Sequence, residues 1–155
     1  MRVGIGTRSW RFDPGRVLML GGVKVPGSWG LRGPGDADAL LRAIGDAMLG
    51  AAGLGDLEDH FPGAEASWAQ APSAALLAEC VVKLAARGLA VVHVDSTLHA
   101  ERPDLRTQRA AIQARVAALL GTAPEAVNVK TADGGPLGAD GVGALAVVTI
   151  EEIPA

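Results

Sequence analysis

The residues with the clearest capacity for chemistry lie on one predicted helix near the N-terminus. Asp38, Arg42 and Asp46 follow one another at intervals of four residues, so a helix places them on one face. Apolar residues at helical spacing, from Leu40 to Leu49, form another face. Arg42 can pair with either carboxylate within the helix, or the polar stripe can be directed at a separate ligand.

Other candidate ligands are more scattered. The chain has only three histidines, His60, His93 and His99. His93 shares a predicted strand face with Asp95, but no third metal ligand stands nearby in sequence, which favours a histidine on the sheet surface. The run Glu58-Asp59-His60 could supply metal donors from a loop. A solvated loop is the favoured interpretation.

The predicted elements form a single sheet covered by helices on one face. Asp36 or Asp38 can cap the polar helix, which ends near Gly50. Before it we predict two strands joined by a loop that holds Trp10, Phe12 and Pro14. The other expected elements are strand 2–6, strand 17–25, loop 53–72, a helix from 72 to 88, strand 89–98, helix 104–120, and strands 127–131 and 144–150.

Composition restricts the class of partner. The chain has 155 residues and a net charge of −3, so we expect one domain over 1–155 and no basic footprint for nucleic acid. No apolar stretch reaches the ~18 residues needed to span a membrane. The single cysteine, Cys80, lies in an apolar helical run and is expected to be a buried thiol in a cytoplasmic protein. Partners should be proteins or small molecules.

Two segments carry a resemblance to a known family. Met1–Trp10 and residues 35–56 resemble the start and first helix of the 2-C-methyl-D-erythritol 2,4-cyclodiphosphate synthases, zinc enzymes of the non-mevalonate isoprenoid pathway. The likeness continues in register through Leu20–Val23, Ala100–Pro103 and Val127–Thr131. It implies an α/β (α+β) fold with a mixed four- or five-stranded sheet covered by helices on one face. It also implies a homotrimer around a central channel, with active sites between subunits.

The resemblance places the family's metal ligands at positions that have changed here. The family holds zinc with an Asp-x-His pair near the N-terminus and a histidine on the first helix, and these positions read Arg8, Trp10 and Arg42. A guanidinium has no lone pair to donate to zinc. We therefore expect no cofactor, although the family uses zinc and a second divalent metal. Trp10 is expected to pack in the core or at an interface.

The substrate pocket is retained only in part. By resemblance, Asp46 and Asp56 lie in the pocket for the methylerythritol group, and Ala100 and Pro103 belong to the loop that reads cytosine. Ala132 and Asp133 fall where the family has a Thr-Thr-Glu-Lys stretch that helps to bind the phosphates. A family lysine after the loop proline is Asp104 here. Each unneutralised like-charge pair with a phosphate at about 4 Å costs roughly 4 kcal/mol at an effective dielectric constant of ~20.

These changes leave two hypotheses. The first is a catalytically degenerate homotrimer that keeps part of the pocket and binds a cytidine nucleotide or another small anion. The second is an active but divergent cyclodiphosphate synthase, a lyase that releases CMP. Arg8 and Arg42, standing where zinc is held in the family, could together capture an anion. The alternative is that Arg42 pairs within its own helix while Arg8 points to solvent.

Overall fold

The centre of the molecule is a mixed five-stranded sheet. A computed structural model describes residues 1–155 and gives strands β1 (Arg2–Leu20), β2 (Val23–Leu31), β3 (Leu89–His99), β4 (Val127–Ala132) and β5 (Gly141–Glu152). Their order across the sheet is β2-β1-β5-β3-β4. The pairs β1–β2, β1–β5 and β3–β5 are antiparallel, whereas β3–β4 is parallel. The prediction of a mixed four- or five-stranded sheet with helices is confirmed, with five strands.

Five helices complete the fold. They are α1 (Ala39–Ala51), α2 (Leu57–His60), α3 (Ala66–Ala69), α4 (Ser73–Ala85) and α5 (Arg109–Leu120). Helix α1 is the central one, because it packs against β1, β5 and α4 and buries eleven of its thirteen residues. Its polar residue Arg42 is among those buried, so the predicted polar stripe faces protein. No helix is long and apolar enough to cross a membrane.

Glycines in β1 bring the sheet into direct contact with α1. A Cβ atom at Gly4 would overlap the carbonyl oxygen of Ala47, and one at Gly6 would overlap that of Ala43. Such contact leaves no room for any side chain. The alternate residues Val3 and Ile5 point to the other face of β1 and are 60% and 64% exposed. At the start of β1, the face opposite the helices is therefore apolar and uncovered in the single chain.

Two local predictions were wrong. Trp10, Phe12 and Pro14 lie within β1 instead of a loop, because this strand continues its pairing with β5 as far as Arg11 and then pairs with β2. The predicted strand 17–25 is folded into a hairpin at Gly21 and Gly22, whose φ angles of 62° and 75° suit glycine.

The boundaries of two other segments also differ. The segment 53–72 contains the short helices α2 and α3. Residues 106–108 form a separate 3-10 turn before α5 begins at Arg109, so the predicted helix 104–120 starts later than expected.

Candidate functional site

An ion pair joins the first strand to the first helix. Arg8 of β1 donates from Nε to Oδ2 of Asp46 at 2.7 Å, and its Nη2 lies 2.6 Å from the same oxygen. The other carboxylate oxygen of Asp46 accepts the backbone N–H of Leu57 at 2.9 Å. The Arg8 side chain is 27% exposed and that of Asp46 is 14% exposed. Both oxygens of Asp46 are thus engaged by groups of the protein itself.

Arg42 is held separately from this pair. Its Nε donates to Oγ of Ser73 at 2.9 Å, and Ser73 in turn donates through its hydroxyl and backbone N–H to Asp36. The residue is only 6% exposed, and Nη2 has no hydrogen-bond partner in the chain. Burial lowers the pKa of the guanidinium, while the carboxylate of Asp36 raises it and the charge of Arg8 lowers it further.

Asp38 is a structural carboxylate. It caps α1 by accepting the N–H of Leu41 at 2.9 Å, and it also accepts the N–H groups of Gly21 at 2.9 Å and Gly22 at 2.7 Å. The side chain therefore fastens the β1–β2 turn to the start of α1. It is fully buried, and this burial raises its pKa to about 6 against the opposing effect of the three backbone donors.

Asp56 lies close to Asp46 along the fold. It caps α2 by accepting the N–H of Asp59 at 3.0 Å, and its own N–H donates back to the Asp59 carboxylate at 3.2 Å. Leu57, which follows Asp56 directly, is the residue whose N–H binds Asp46. The structure therefore brings Asp46 and Asp56 together at the start of α2, with Asp56 exposed to solvent.

Trp10 lies beside Arg8 where β1 contacts α1. The guanidinium carbon of Arg8 lies 5.8 Å from the centre of its ring, a distance at which a cation is attracted to the aromatic face. The ring also packs on the backbone at Gly33, where a Cβ atom would approach it to 2.8 Å. The indole is half-buried against the core, so its expected packing role agrees with its place in this chain.

The four loop residues expected to contact a nucleotide line one cavity. Ala100, Pro103, Ala132 and Asp133 surround a space of about 470 Å³. The strand ends are fixed together by a hydrogen bond from the N–H of Ala100 to the carbonyl of Ala132 at 3.0 Å. The remaining lining residues are Leu98, Glu101, Asp104, Leu105, Arg106 and Thr131. We call this space the loop cavity.

The charges that line the loop cavity are mainly acidic. Glu101, Asp104 and Asp133 face a single cation, Arg106, among the lining residues. None of the four cavities of the chain is lined both by residues of the loop cavity and by Arg8, Arg42, Asp46 or Asp56. Within one chain the expected site residues thus form two separate groups. The sequence had indicated neither Ser73 as the partner of Arg42 nor Arg106 as a cavity residue, because both contacts depend on tertiary packing.

Comparison with known proteins identifies the family. The model of the YgbB family matches residues 1–151. The chain belongs to the YgbB family. A 2-C-methyl-D-erythritol 2,4-cyclodiphosphate synthase of Symbiobacterium thermophilum is 42% identical over 154 residues, covering 97% of this chain and 98% of that protein. One from Salinibacter ruber is 43% identical over 155 residues, covering 97% and 99%.

Other YgbB relatives are longer or have solved structures. The "Bifunctional enzyme IspD/IspF" of Anaeromyxobacter dehalogenans is 48% identical over 135 residues, and the match covers 87% of this chain but 35% of that protein. A solved 2C-methyl-D-erythritol-2,4-cyclodiphosphate synthase is 32% identical, with a TM-score of 0.91 and coverage of 97% and 100%. A CDP-bound form has the same TM-score at 31% identity. These findings confirm the family that the N-terminal segments resemble.

Zinc does not fit the side chains at the positions where the family resemblance puts its ligands. A zinc site needs three or four nitrogen, sulfur or carboxylate donors at about 2.0–2.3 Å. Arg8, Trp10 and Arg42 offer only N–H donors and ring faces. No group of three or more His, Cys, Asp or Glu side chains in the chain could hold a metal ion. The carboxylate of Asp46 is paired with the Arg8 guanidinium.

Proposed function

We propose that this YgbB-family protein is a catalytically degenerate cyclodiphosphate synthase homologue that binds a cytidine nucleotide or a related small anion. The observation that carries this proposal is the ion pair between Arg8 and Asp46 at 2.6 Å. In this arrangement a fixed guanidinium occupies the position where the family resemblance puts a zinc ligand. The reaction would need a Lewis acid to polarise a phosphoryl oxygen, and this donor set does not hold one.

The carboxylates at positions where the family resemblance implies phosphate binding support the same proposal. Asp104 and Asp133 line the loop cavity, and both are acidic where the family resemblance implies groups that bind phosphate or metal. A diphosphate brought beside them would meet like charges without a metal to neutralise them. Asp46 is also less available to a substrate, because the Arg8 side chain and the Leu57 N–H already bind its two oxygens.

The retained feature is the nucleoside end of the pocket. The loop cavity keeps Ala100 and Pro103, and its volume of about 470 Å³ lies in the range of small-molecule sites. A related solved structure that is 31% identical is described as the bound form with CDP.

An anion held jointly by Arg8 and Arg42 also stays a prediction. It would have to compete with Asp46 for Arg8, whereas Nη2 of Arg42 is free.

We further propose that the protein is a cytoplasmic homotrimer. The uncovered apolar residues Val3 and Ile5 support burial of this sheet face against other copies. A trimer would also allow the loop cavity of one chain to lie beside Arg8 and Asp46 of the next chain. Within one chain the loop cavity and these two residues are separate. Light scattering in solution should give a mass three times the 15.7 kDa of the chain. A monomer would contradict the shared-site arrangement.

A second candidate is an active but divergent cyclodiphosphate synthase. The observation that favours it is 42–43% identity along almost the full length of two proteins that carry this name. This candidate requires zinc or another Lewis acid to be bound by groups other than Arg8, Trp10 and Arg42. It predicts release of CMP from the cytidine diphosphate substrate.

One set of measurements separates the two candidates. Metal analysis and a CMP-release assay should be performed on the native protein and on the variant Arg8→Asp, Trp10→His, Arg42→His, which restores the family ligand types. We expect the native protein to hold no stoichiometric zinc and to release no CMP, and the variant to gain zinc. Calorimetry with CMP and CDP then tests the retained nucleoside site. Stoichiometric zinc together with CMP release by the native protein would establish the second candidate.

A further inference from the structure

A second polar cavity lies between α5 and the edge strand of the sheet. Its volume is about 370 Å³, and Arg106, Arg109, Gln113 and Asn128 provide its polar lining. Ala110 and Val129 complete the wall, so no acidic side chain lines this space. Its charge is the opposite of that of the loop cavity, where three carboxylates face one arginine. We call this space the arginine cavity.

The two guanidinium groups of the arginine cavity have no partner in the chain. Neither Arg106 nor Arg109 takes part in any of the four ion pairs. The one hydrogen bond at Arg106 that involves a side chain is from its backbone N–H to Asp104. Both residues are exposed, and each can present several N–H donors in a planar array. These arginines are therefore available to an anion from solution.

The two amide groups of the cavity are positioned by the protein. Gln113 donates one N–H from Nε2 to the carbonyl of Pro124 at 2.8 Å, and Asn128 donates one from Nδ2 to Asp95 at 3.0 Å. Each amide nitrogen keeps a second proton. The carboxylate of Asp95 is also held by Lys130 at 2.8 Å, which offsets its charge. The surroundings are therefore positive overall, with four donor groups around one space.

We propose that the arginine cavity binds the phosphate or diphosphate group of a small phosphorylated ligand. Planar guanidinium groups form paired hydrogen bonds to phosphate oxygens, and the amides can complete the coordination. Arg106 lines both the arginine cavity and the loop cavity. A nucleotide seated in the loop cavity could therefore extend its phosphates toward Arg109 and away from Asp133. This last orientation rests on the proposed function, whereas the anion site does not.

The test is calorimetric titration of the full chain with inorganic pyrophosphate at low ionic strength. The variants are Arg106→Gln and Arg109→Gln, and the matched control is Arg115→Gln on the same helix. Arg115 is also exposed and lies outside the arginine cavity, so all three variants change the net charge equally. We expect about tenfold weaker binding in each cavity variant and less than a twofold change in the control.

Other outcomes would overturn the proposal. If the native protein does not bind pyrophosphate, the cavity is not an anion site. If all three variants lose the same affinity, the binding reflects only the overall charge of the protein and the cavity is again not an anion site. Circular dichroism must show that each variant keeps the native fold. A parallel titration with cytidine reports separately on the proposed function. Pyrophosphate binding that depends on Arg106 and Arg109, without cytidine binding, would contradict the nucleotide function and leave the anion site intact.

Discussion

The ion pair between Arg8 and Asp46 should contribute measurably to stability. With charge centres about 3.5 Å apart and an effective dielectric constant of ~20, the attraction is roughly 4–5 kcal/mol before desolvation is subtracted. The side chains are 27% and 14% exposed, so they lose part of their hydration when they pair. We expect a net coupling free energy of about 2 kcal/mol, between the values for surface pairs and the gross attraction.

A double-mutant cycle measures this coupling. Arg8→Met keeps an apolar stem against Trp10, and Asp46→Asn keeps an oxygen for the N–H of Leu57. Urea unfolding of both single variants and the double variant, at fixed protein concentration, gives the coupling free energy. Arg8→Met should be the more damaging single change, because it leaves the less exposed charge, that of Asp46, without its cation.

The chain offers a matched control for the cycle. Arg11 and Asp140 lie 3.7 Å apart with side chains 67% and 73% exposed, and such a pair should couple by about 0.5 kcal/mol or less. A coupling at Arg8–Asp46 as small as that of the control would contradict this expected value. It would mean that Asp46 is satisfied without a fixed cation, and that Arg8 is free for another ligand.

Three further predictions follow from the geometry. Gly6→Ala should lower the free energy of unfolding by about 3 kcal/mol or more, because the added Cβ would overlap α1. Gly50→Ala is the control: the space around Gly50 is open, so this change should be neutral or up to ~1 kcal/mol stabilising. Urea unfolding measures both. The pKa of Asp38 is raised from 3.8 to about 6, so the folded state binds the extra proton and stability should fall by up to about 3 kcal/mol as pH rises from 4 to 6. Unfolding of Asp38→Asn across this range should lack that loss. The thiol of Cys80 is buried and its pKa is raised to about 12, so a thiol reagent at pH 8 should react only after unfolding.

Local patterns were sufficient to predict much of the fold. The spacing of apolar residues identified α1 and α4, and Asp38 was correctly one of two candidate caps. Gly4 and Gly6, which have no side chain, allow β1 to pack directly against α1. These features depend on neighbours along the chain or on side-chain size, and both are visible in a single sequence.

Long-range pairing could not be predicted in the same way. Trp10 lies in a strand because β5, more than 130 residues later, continues to pair with that segment. The contact of Arg8 with Asp46 spans 38 residues, and helical spacing alone suggested Asp38 or Asp46 as the partner of Arg42 instead. Arg42 was free to bind Ser73 because α4 packs on α1. The family resemblance proposed the residues of the site, and tertiary structure sets their hydrogen-bond partners.

The side chains at the positions where the family resemblance puts zinc ligands have a combined electrostatic effect. A largely buried carboxylate needs a cation beside it, and Arg8 supplies one to Asp46 without a metal. Changing Arg8 alone to aspartate would place two carboxylates where an ion pair stood, with a repulsion of about 4 kcal/mol at an effective dielectric constant of ~20. Zinc binding at these positions should therefore need the changes at Arg8, Trp10 and Arg42 together, with the metal itself offsetting the added negative charge. Arg8 thus neutralises the charge of Asp46 within the fold, and a change to aspartate at this position alone should be destabilising.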